Sequence, residues 1–134
     1  IADADLVFVT SHKMFDRARQ YTSHVHRFPA GVNYEQFARV RNEQDSVPED
    51  LKALSRPFAG YVGALHQWLD QDLVAELARR MPDVTFALVG PTHSDTSRLT
   101  ACANICLLGG RPHAEVPAYI KGFDVGLVPY RASE

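Results

Sequence analysis

The chain has 134 residues, a formal net charge of −2, 46% hydrophobic residues and 22% charged residues. That length corresponds to about one domain, and the apolar share supports a packed core, which excludes a disordered chain. No lysine or arginine cluster marks a nucleic-acid surface, no apolar run approaches the roughly 18 residues of a membrane span, and no signal-peptide pattern is read.

In chain order, residues 6–10 (LVFVT) read as a strand. Ser11 caps a helix to about Tyr21, with Arg17 and Arg19 near its end, where cations suit the helix dipole. Residues 25–29 (VHRFP) form a second strand that runs into AGVN, where Gly31 and Asn33 favour a turn. A short helix is expected over residues 34–38. Residues 39–48 are polar and aperiodic and read as a linker, and Pro48 opens a short helix to about Leu54. The organisation is therefore residues 1–38 as the end of one domain and an interdomain segment, 39–56 as linker and short helix, and 57–134 as a second, incomplete domain. Because the sequence opens inside an apolar run at Ile1, it reads as a piece of a longer chain.

Four apolar runs then end at glycine or proline: FAGYVG (58–63), FALVG (86–90), ICLLGG (105–110) and VGLVPY (125–130). A continuous apolar run is the mark of a strand buried on both faces. Each of the first three precedes a helix-like stretch, and this alternation implies an α/β fold: a Rossmann-like parallel sheet flanked by helices. The best-defined helix is capped by Asp70, places Leu73, Val74, Leu77, Ala78 and Met81 on one face, pairs Glu76 with Arg80, and stops at Pro82. Ser94 or Asp95 caps a second, weaker helix. A third starts near His113, presents Val116, Tyr119, Ile120 and Phe123, and ends at Gly122 as a C-terminal cap. Cys102 and Cys106 are too few for a disulfide framework and read as reduced structural thiols of a cytosolic protein.

The break residues fall at the carboxyl ends of parallel strands, the edge where open α/β sheets bind ligands. Glycine there lets a ligand approach the backbone. In GALHQW (63–68) the N–H groups of a loop entering a helix suit an anion, phosphate above all, although a plain βα turn would read the same way. Gly90 and Pro91 end the next strand, and Gly109, Gly110, Arg111 and Pro112 the one after. Arg111 reads either as a partner for phosphate or carboxylate or as a solvent-exposed arginine. His66 and His113 share this edge, but no third ligand has metal-site spacing. His12, His24, His26 and His93 read as surface residues. Trp68 and Tyr130 either stack on a base or sugar or pack against the sheet. There is no Walker loop, three-glycine dinucleotide fingerprint, nucleophile elbow or His-Glu-x-x-His pair.

Taken in order, ADLVFVTS, FPAGVNYEQF, RPFAGYVGALHQWLD, FALVGP and LLGGRPHAEVPAYIKGFDVGLVPY resemble successive segments of the GT-B fold glycosyltransferases of the group 1 (retaining) family. Ala30 and Asn33 depart from the family's asparagine and aspartate in the interdomain segment. The resemblance implies a polysaccharide-biosynthesis enzyme that transfers a sugar from a nucleotide-sugar donor to an acceptor hydroxyl, with no cofactor and no metal. By position, Gly63, Ala64, Leu65 and His66 would face the donor diphosphate or acceptor, Gly90 and Pro91 would flank the nucleotide, Arg111, Pro112 and His113 would lie near the base, mostly through backbone atoms, and Tyr130 would line the donor site. Glu134 falls near the first of two glutamates that many members carry. The expected setting is cytoplasmic, with the parent peripheral to the membrane. A piece of this extent is expected to be inactive alone and to self-associate through its open sheet edge. The alternative is a noncatalytic module that binds a nucleotide or a protein partner.

Overall fold

The computed structural model describes residues 3–44 and 46–131. The chain divides into two compact units, Ile1–Tyr34 and Glu35–Glu134.

In the first unit, strand β1 (Val7–Val9) pairs in parallel with β2 (Val25–Arg27), with Val7 opposite Val25. Helix α1 (His12–Arg19) connects them. The Ser11 hydroxyl accepts from the Met14 amide at 3.2 Å, satisfying one donor that the first helical turn leaves open. Val9, Ala18 and Val25 form a small buried core with Val7 and Phe15 against it. These elements match the sequence reading.

Helix α2 (Tyr34–Asn42) continues through the first residues of the stretch that read as linker. Its C-terminal end is fixed from far along the chain. The Lys121 ammonium donates to the Val40 carbonyl at 3.1 Å, to the Glu43 carbonyl, and to the Ser46 hydroxyl at 3.0 Å. A cation on the open carbonyls of a helix C-terminus is favourable. Val40 is the helix's buried residue. One apolar residue leaves no periodic signal, so the extra turn is invisible locally.

The second unit is built on a four-stranded parallel sheet in the order β5-β4-β3-β6. The strands are β3 (Phe58–Val62), β4 (Thr85–Val89), β5 (Ile105–Gly109) and β6 (Val125–Gly126). Both faces of the central strands β3 and β4 are covered, which is why their sequences are apolar throughout. On one face Phe86 and Leu88 of β4, with Tyr61, pack with Val74, Ala75 and Ala78 of α4 (Gln71–Arg80) and Leu99 of α5 (Ser97–Thr100). On the other, Ala87 and Val89 pack with Phe58, with Leu51 of α3 (Glu49–Lys52) and with Tyr119 of α6 (Val116–Gly122). The α/β architecture is the one read from the strand–helix alternation.

Some local readings change. The buried face of α4 is Gln71, Val74, Ala75 and Ala78, while Leu73 and Met81 are 45% and 46% exposed. The small residues let the helix sit close to the sheet, so the larger side chains are rotated outwards. Gly122 is not a left-handed cap. It is the last residue of α6, where a Cβ would lie 2.5 Å from Leu51 Cδ2, so it permits close contact between α6 and α3. Strand β6 covers only two of the six residues read as strand. The Leu127 amide still donates to the Gly60 carbonyl at 2.7 Å, and further on Tyr130 forms an antiparallel bridge to Leu69. Pro129 has no N–H with which to continue the parallel ladder. Both cysteines are free thiols. No helix among the described residues is long and apolar enough to cross a membrane.

Candidate functional site

The strand ends that carry Gly63, Gly90 and Gly109 lie side by side. The Gly63 amide donates to the Val89 carbonyl at 2.9 Å, and the Gly90 amide to the Gly109 carbonyl at 2.9 Å. The β3–β4 pairing then continues past the glycines, through Leu65 N–H to Pro91 O at 2.9 Å and His93 N–H to Leu65 O at 3.0 Å. Two of the glycines are fixed by proximity. A Cβ at Gly90 would sit 1.9 Å from the Gly63 carbonyl oxygen, and a Cβ at Gly63 would sit 2.4 Å from the Tyr61 hydroxyl. Gly109, at φ 74°, adopts the left-handed conformation that glycine tolerates best. The ladder shifts register there, between Leu88 and Val89.

This edge offers few free donors, and they can be located. Gly63, Leu65 and His66 each spend their amide on a carbonyl, of Val89, Pro91 and Ala64 respectively. The amides of Ala64 and Gly110 donate to no described residue, and both residues are exposed. Tyr61 lies beneath the loop and donates its hydroxyl to the Ala64 carbonyl at 3.1 Å. Burial, followed by the neighbouring Tyr130, holds that phenol protonated well above its usual range. Tyr130 meets Tyr61 edge-on at 6.3 Å and is 55% exposed, so it flanks the same loop. The anion reading of the helix start needs correction. The N-terminus of α4 holds its own carboxylate, because Asp70 accepts from the Leu73 amide at 3.0 Å.

The other site candidates fall as follows. Leu65 is fully buried and presents no side chain to the edge. The His66 ring stacks on Trp68 at 6.1 Å with a 12° interplanar angle, and its Nδ1 is buried without a partner among the described residues. Pro91 is exposed beside Gly110. The Pro112 carbonyl accepts from Glu115, and the His113 carbonyl from the Gln36 side chain at 3.5 Å. Glu134 lies outside the described residues.

Arg111 is committed within the protein. It donates to Asp50 at 2.7 Å and to the Tyr119 hydroxyl at 2.6 Å, and that hydroxyl in turn donates to Asp50. The cluster ties the loop after β5 to α3 and α6. The Asp50 carboxylate, then the Tyr119 hydroxyl, raises the affinity of the guanidinium for its proton. Burial pushes the Asp50 carboxyl up, but the bonds from Arg111 and Tyr119 and the Arg111 charge outweigh it and hold the group below its ordinary value of 3.8. Asp50 lies too far back in sequence for any local pattern to link it with Arg111.

Asp124 is depressed as well, chiefly by the Phe58 amide at 2.7 Å and then by Arg56 at 2.6 Å. A carboxyl whose folded pKa lies below its unfolded one stabilises the fold above the unfolded value, and loses that contribution as pH falls. Acid sensitivity is therefore expected below about pH 4. Asp50→Ala should cost about 1–2 kcal/mol at neutral pH, a figure reduced for the partial exposure of the pair, and should flatten this acid limb. Urea denaturation of both proteins at pH 7 and pH 3.5 measures the difference.

No family model matches the chain. The chain is 34% identical over 113 residues to TuaH of Bacillus subtilis, provisionally assigned as a teichuronic acid biosynthesis glycosyltransferase. That match covers 81% of this chain and 28% of TuaH, so the chain spans less than a third of the curated relative. Among solved structures, HepE of Anabaena, crystallised in complex with UDP and glucose, matches with a TM-score of 0.62 at 19% identity, over 92% of this chain and 37% of HepE. The sequence match is to a glycosyltransferase, in line with the resemblance read from the ordered motifs, and the structural match agrees with the α/β fold.

Proposed function

We propose that this chain, similar in sequence to a glycosyltransferase and in fold to a protein crystallised with UDP and glucose, supplies the nucleotide-sugar-binding part of a sugar transferase. The observation that carries the reading is the row of strand ends at Gly63, Gly90 and Gly109, with the Ala64 and Gly110 amides, which donate to no described residue, at its rim. Backbone N–H groups suit a diphosphate without a metal. In the transfer, the bond from the anomeric carbon to the diphosphate oxygen breaks, and its electrons leave with the nucleoside diphosphate. The acceptor oxygen bonds to that carbon and gives up its proton. Donors aimed at the departing diphosphate would stabilise charge that develops only as the bond breaks. Ala64 and Gly110 are proposed in that role, and Tyr130 as a flank of the donor site. Glu134, the basis for any catalytic carboxylate within the chain, is proposed on the family pattern alone. The parent's cytoplasmic setting, its attachment to the membrane surface and its retention of anomeric configuration are proposed on the same basis.

Calorimetry with UDP and GDP tests the reading. Saturable binding of at least one, lost in Gly63→Val, is expected. Binding of neither overturns it.

Self-association is also proposed. Strand β6 is the edge of the sheet, Val125 and Val128 are 58% and 80% exposed, and an apolar groove of about 380 Å³ lies beside them, lined in part by Phe58, Leu77 and Leu127. An open edge with exposed apolar residues favours pairing with another chain. Light scattering at high concentration should give a mass above the 14.9 kDa of one chain. A strictly monomeric mass would contradict this.

A further inference from the structure

Arg111 follows directly on Gly110, one of the two residues whose amides are proposed to face the donor diphosphate, yet its own guanidinium is spent inside the protein. From this arrangement we infer that Arg111 is a positioning residue: anchored by Asp50 and Tyr119, it sets the direction of the Gly110 amide and does not bind the donor itself. The inference rests on the donor-site reading and adds to it the residues that hold one of its donors in place.

The segment needs such an anchor. Gly109 and Gly110 are consecutive glycines, the residue type with the most backbone freedom to lose on ordering. Packing does not restrict them. Among the described residues, a Cβ at Gly109 would meet nothing within 4 Å, and one at Gly110 nothing nearer than Pro91 at 3.7 Å. On the upstream side the Gly109 carbonyl is fixed by the Gly90 amide at 2.9 Å. On the downstream side the first side chain able to fix the backbone is that of Arg111.

Every nitrogen of that guanidinium has a partner. Nε donates to the Tyr119 hydroxyl at 2.6 Å, one Nη to Asp50 at 2.7 Å, and the other Nη to the Gly110 carbonyl at 3.4 Å. The anchors are themselves rooted. Tyr119 is buried in the core with Phe58 and Leu51, and Asp50 is the neighbour of Leu51 on α3. With the Gly109 carbonyl held on one side, the Arg111 side chain held on the other, and the intervening peptide planar, the Gly110 N–H has little room to turn. Donors aimed at developing charge act most when their direction is set beforehand.

Direct binding and positioning predict opposite signs at Asp50. An arginine that grips a phosphate presents its fork to the ligand. If Arg111 did so, removing the Asp50 carboxylate would release the guanidinium and strengthen UDP binding. If Arg111 positions Gly110, the same change weakens UDP binding, because the anchor is lost.

The test is calorimetry with UDP on the chain and on Asp50→Ala, Tyr119→Phe, Arg111→Gln and the double variant Asp50→Ala/Arg111→Gln, with the Gly110 amide followed by NMR. Asp124→Asn is the control, since it disrupts an ion pair with Arg56 at the opposite ends of the strands. Asp50→Ala and Arg111→Gln should each weaken UDP binding about three- to ten-fold, the worth of one well-placed hydrogen bond. The double variant should bind no more weakly than the weaker single one, because the two residues act as a unit. The Gly110 resonance should move in Asp50→Ala and in Tyr119→Phe, neither of which is near it in sequence, and stay in place in Asp124→Asn. Tyr119→Phe keeps the buried ring, so it keeps the test decisive if Asp50→Ala fails to fold. Tighter UDP binding in Asp50→Ala, unchanged affinity in the folded variants, or an equal loss in Asp124→Asn overturns the positioning role and leaves the donor site standing. Binding of neither UDP nor GDP by the unaltered chain removes the donor site, and this inference with it.

Discussion

Gly90→Val is expected to destabilise the second unit by more than about 3 kcal/mol and to abolish nucleotide binding. Any Cβ at residue 90 would lie 1.9 Å from the Gly63 carbonyl oxygen and 2.6 Å from the Gly63 carbonyl carbon. Both are backbone atoms, and rotamer changes cannot relieve the overlap. Relief requires the ends of β3 and β4 to separate, which breaks the Gly63–Val89 and Leu65–Pro91 hydrogen bonds on either side. Gly90 is itself buried, so the added isopropyl group has no route to solvent. With a total stability of about 5–15 kcal/mol for a domain, such a loss removes much of the margin. Urea denaturation and UDP calorimetry measure the two effects. A variant that keeps its midpoint and its UDP affinity would contradict the close packing of the glycine strand ends.

Leu65→Ala should cost about 2–5 kcal/mol, the range for truncating a fully buried leucine. Leu65 is 0% exposed, in the core shared by the sheet and α4, directly after the loop that carries Ala64. Its backbone continues the β3–β4 pairing to Thr92, so the side chain anchors the register of the loop. The expected consequence is a large fall in stability with weaker nucleotide binding, although Leu65 presents no side chain to a ligand. A loss below about 1 kcal/mol would show that the loop is not anchored from beneath. This separates Leu65 from Ala64, its neighbour at the tip. The sequence placed both at the binding edge, but only Ala64 turns an amide outward.

The sheet was legible because both of its faces are buried. Phe86-Ala-Leu-Val alternates between two helix layers, and each layer demands apolar residues, so the strand stands out as an unbroken run. The Asp70 cap and the Glu76–Arg80 pair, 2.8 Å apart, are short-range features and were equally readable. Elements fixed by distant partners were not. The last turn of α2 depends on Lys121, and the place of Arg111 depends on Asp50 and Tyr119. Gly122 reads as a cap locally, whereas its role is contact with Leu51, a residue of another element. At the site, the glycine spacing located the edge, but sequence could not say which amides the ladder consumes. That depends on register, and the β3–β4 pairing runs two residues further than the apolar runs suggest.

The most direct test is an amide NMR titration of the chain with UDP. The account predicts saturable shifts concentrated at Gly63, Ala64, Gly90, Gly109, Gly110 and Tyr130, with little change at Asp83, Asn104 and Asp124 near the amino ends of the strands. Shifts centred on those last residues, or none at any UDP concentration, would contradict it.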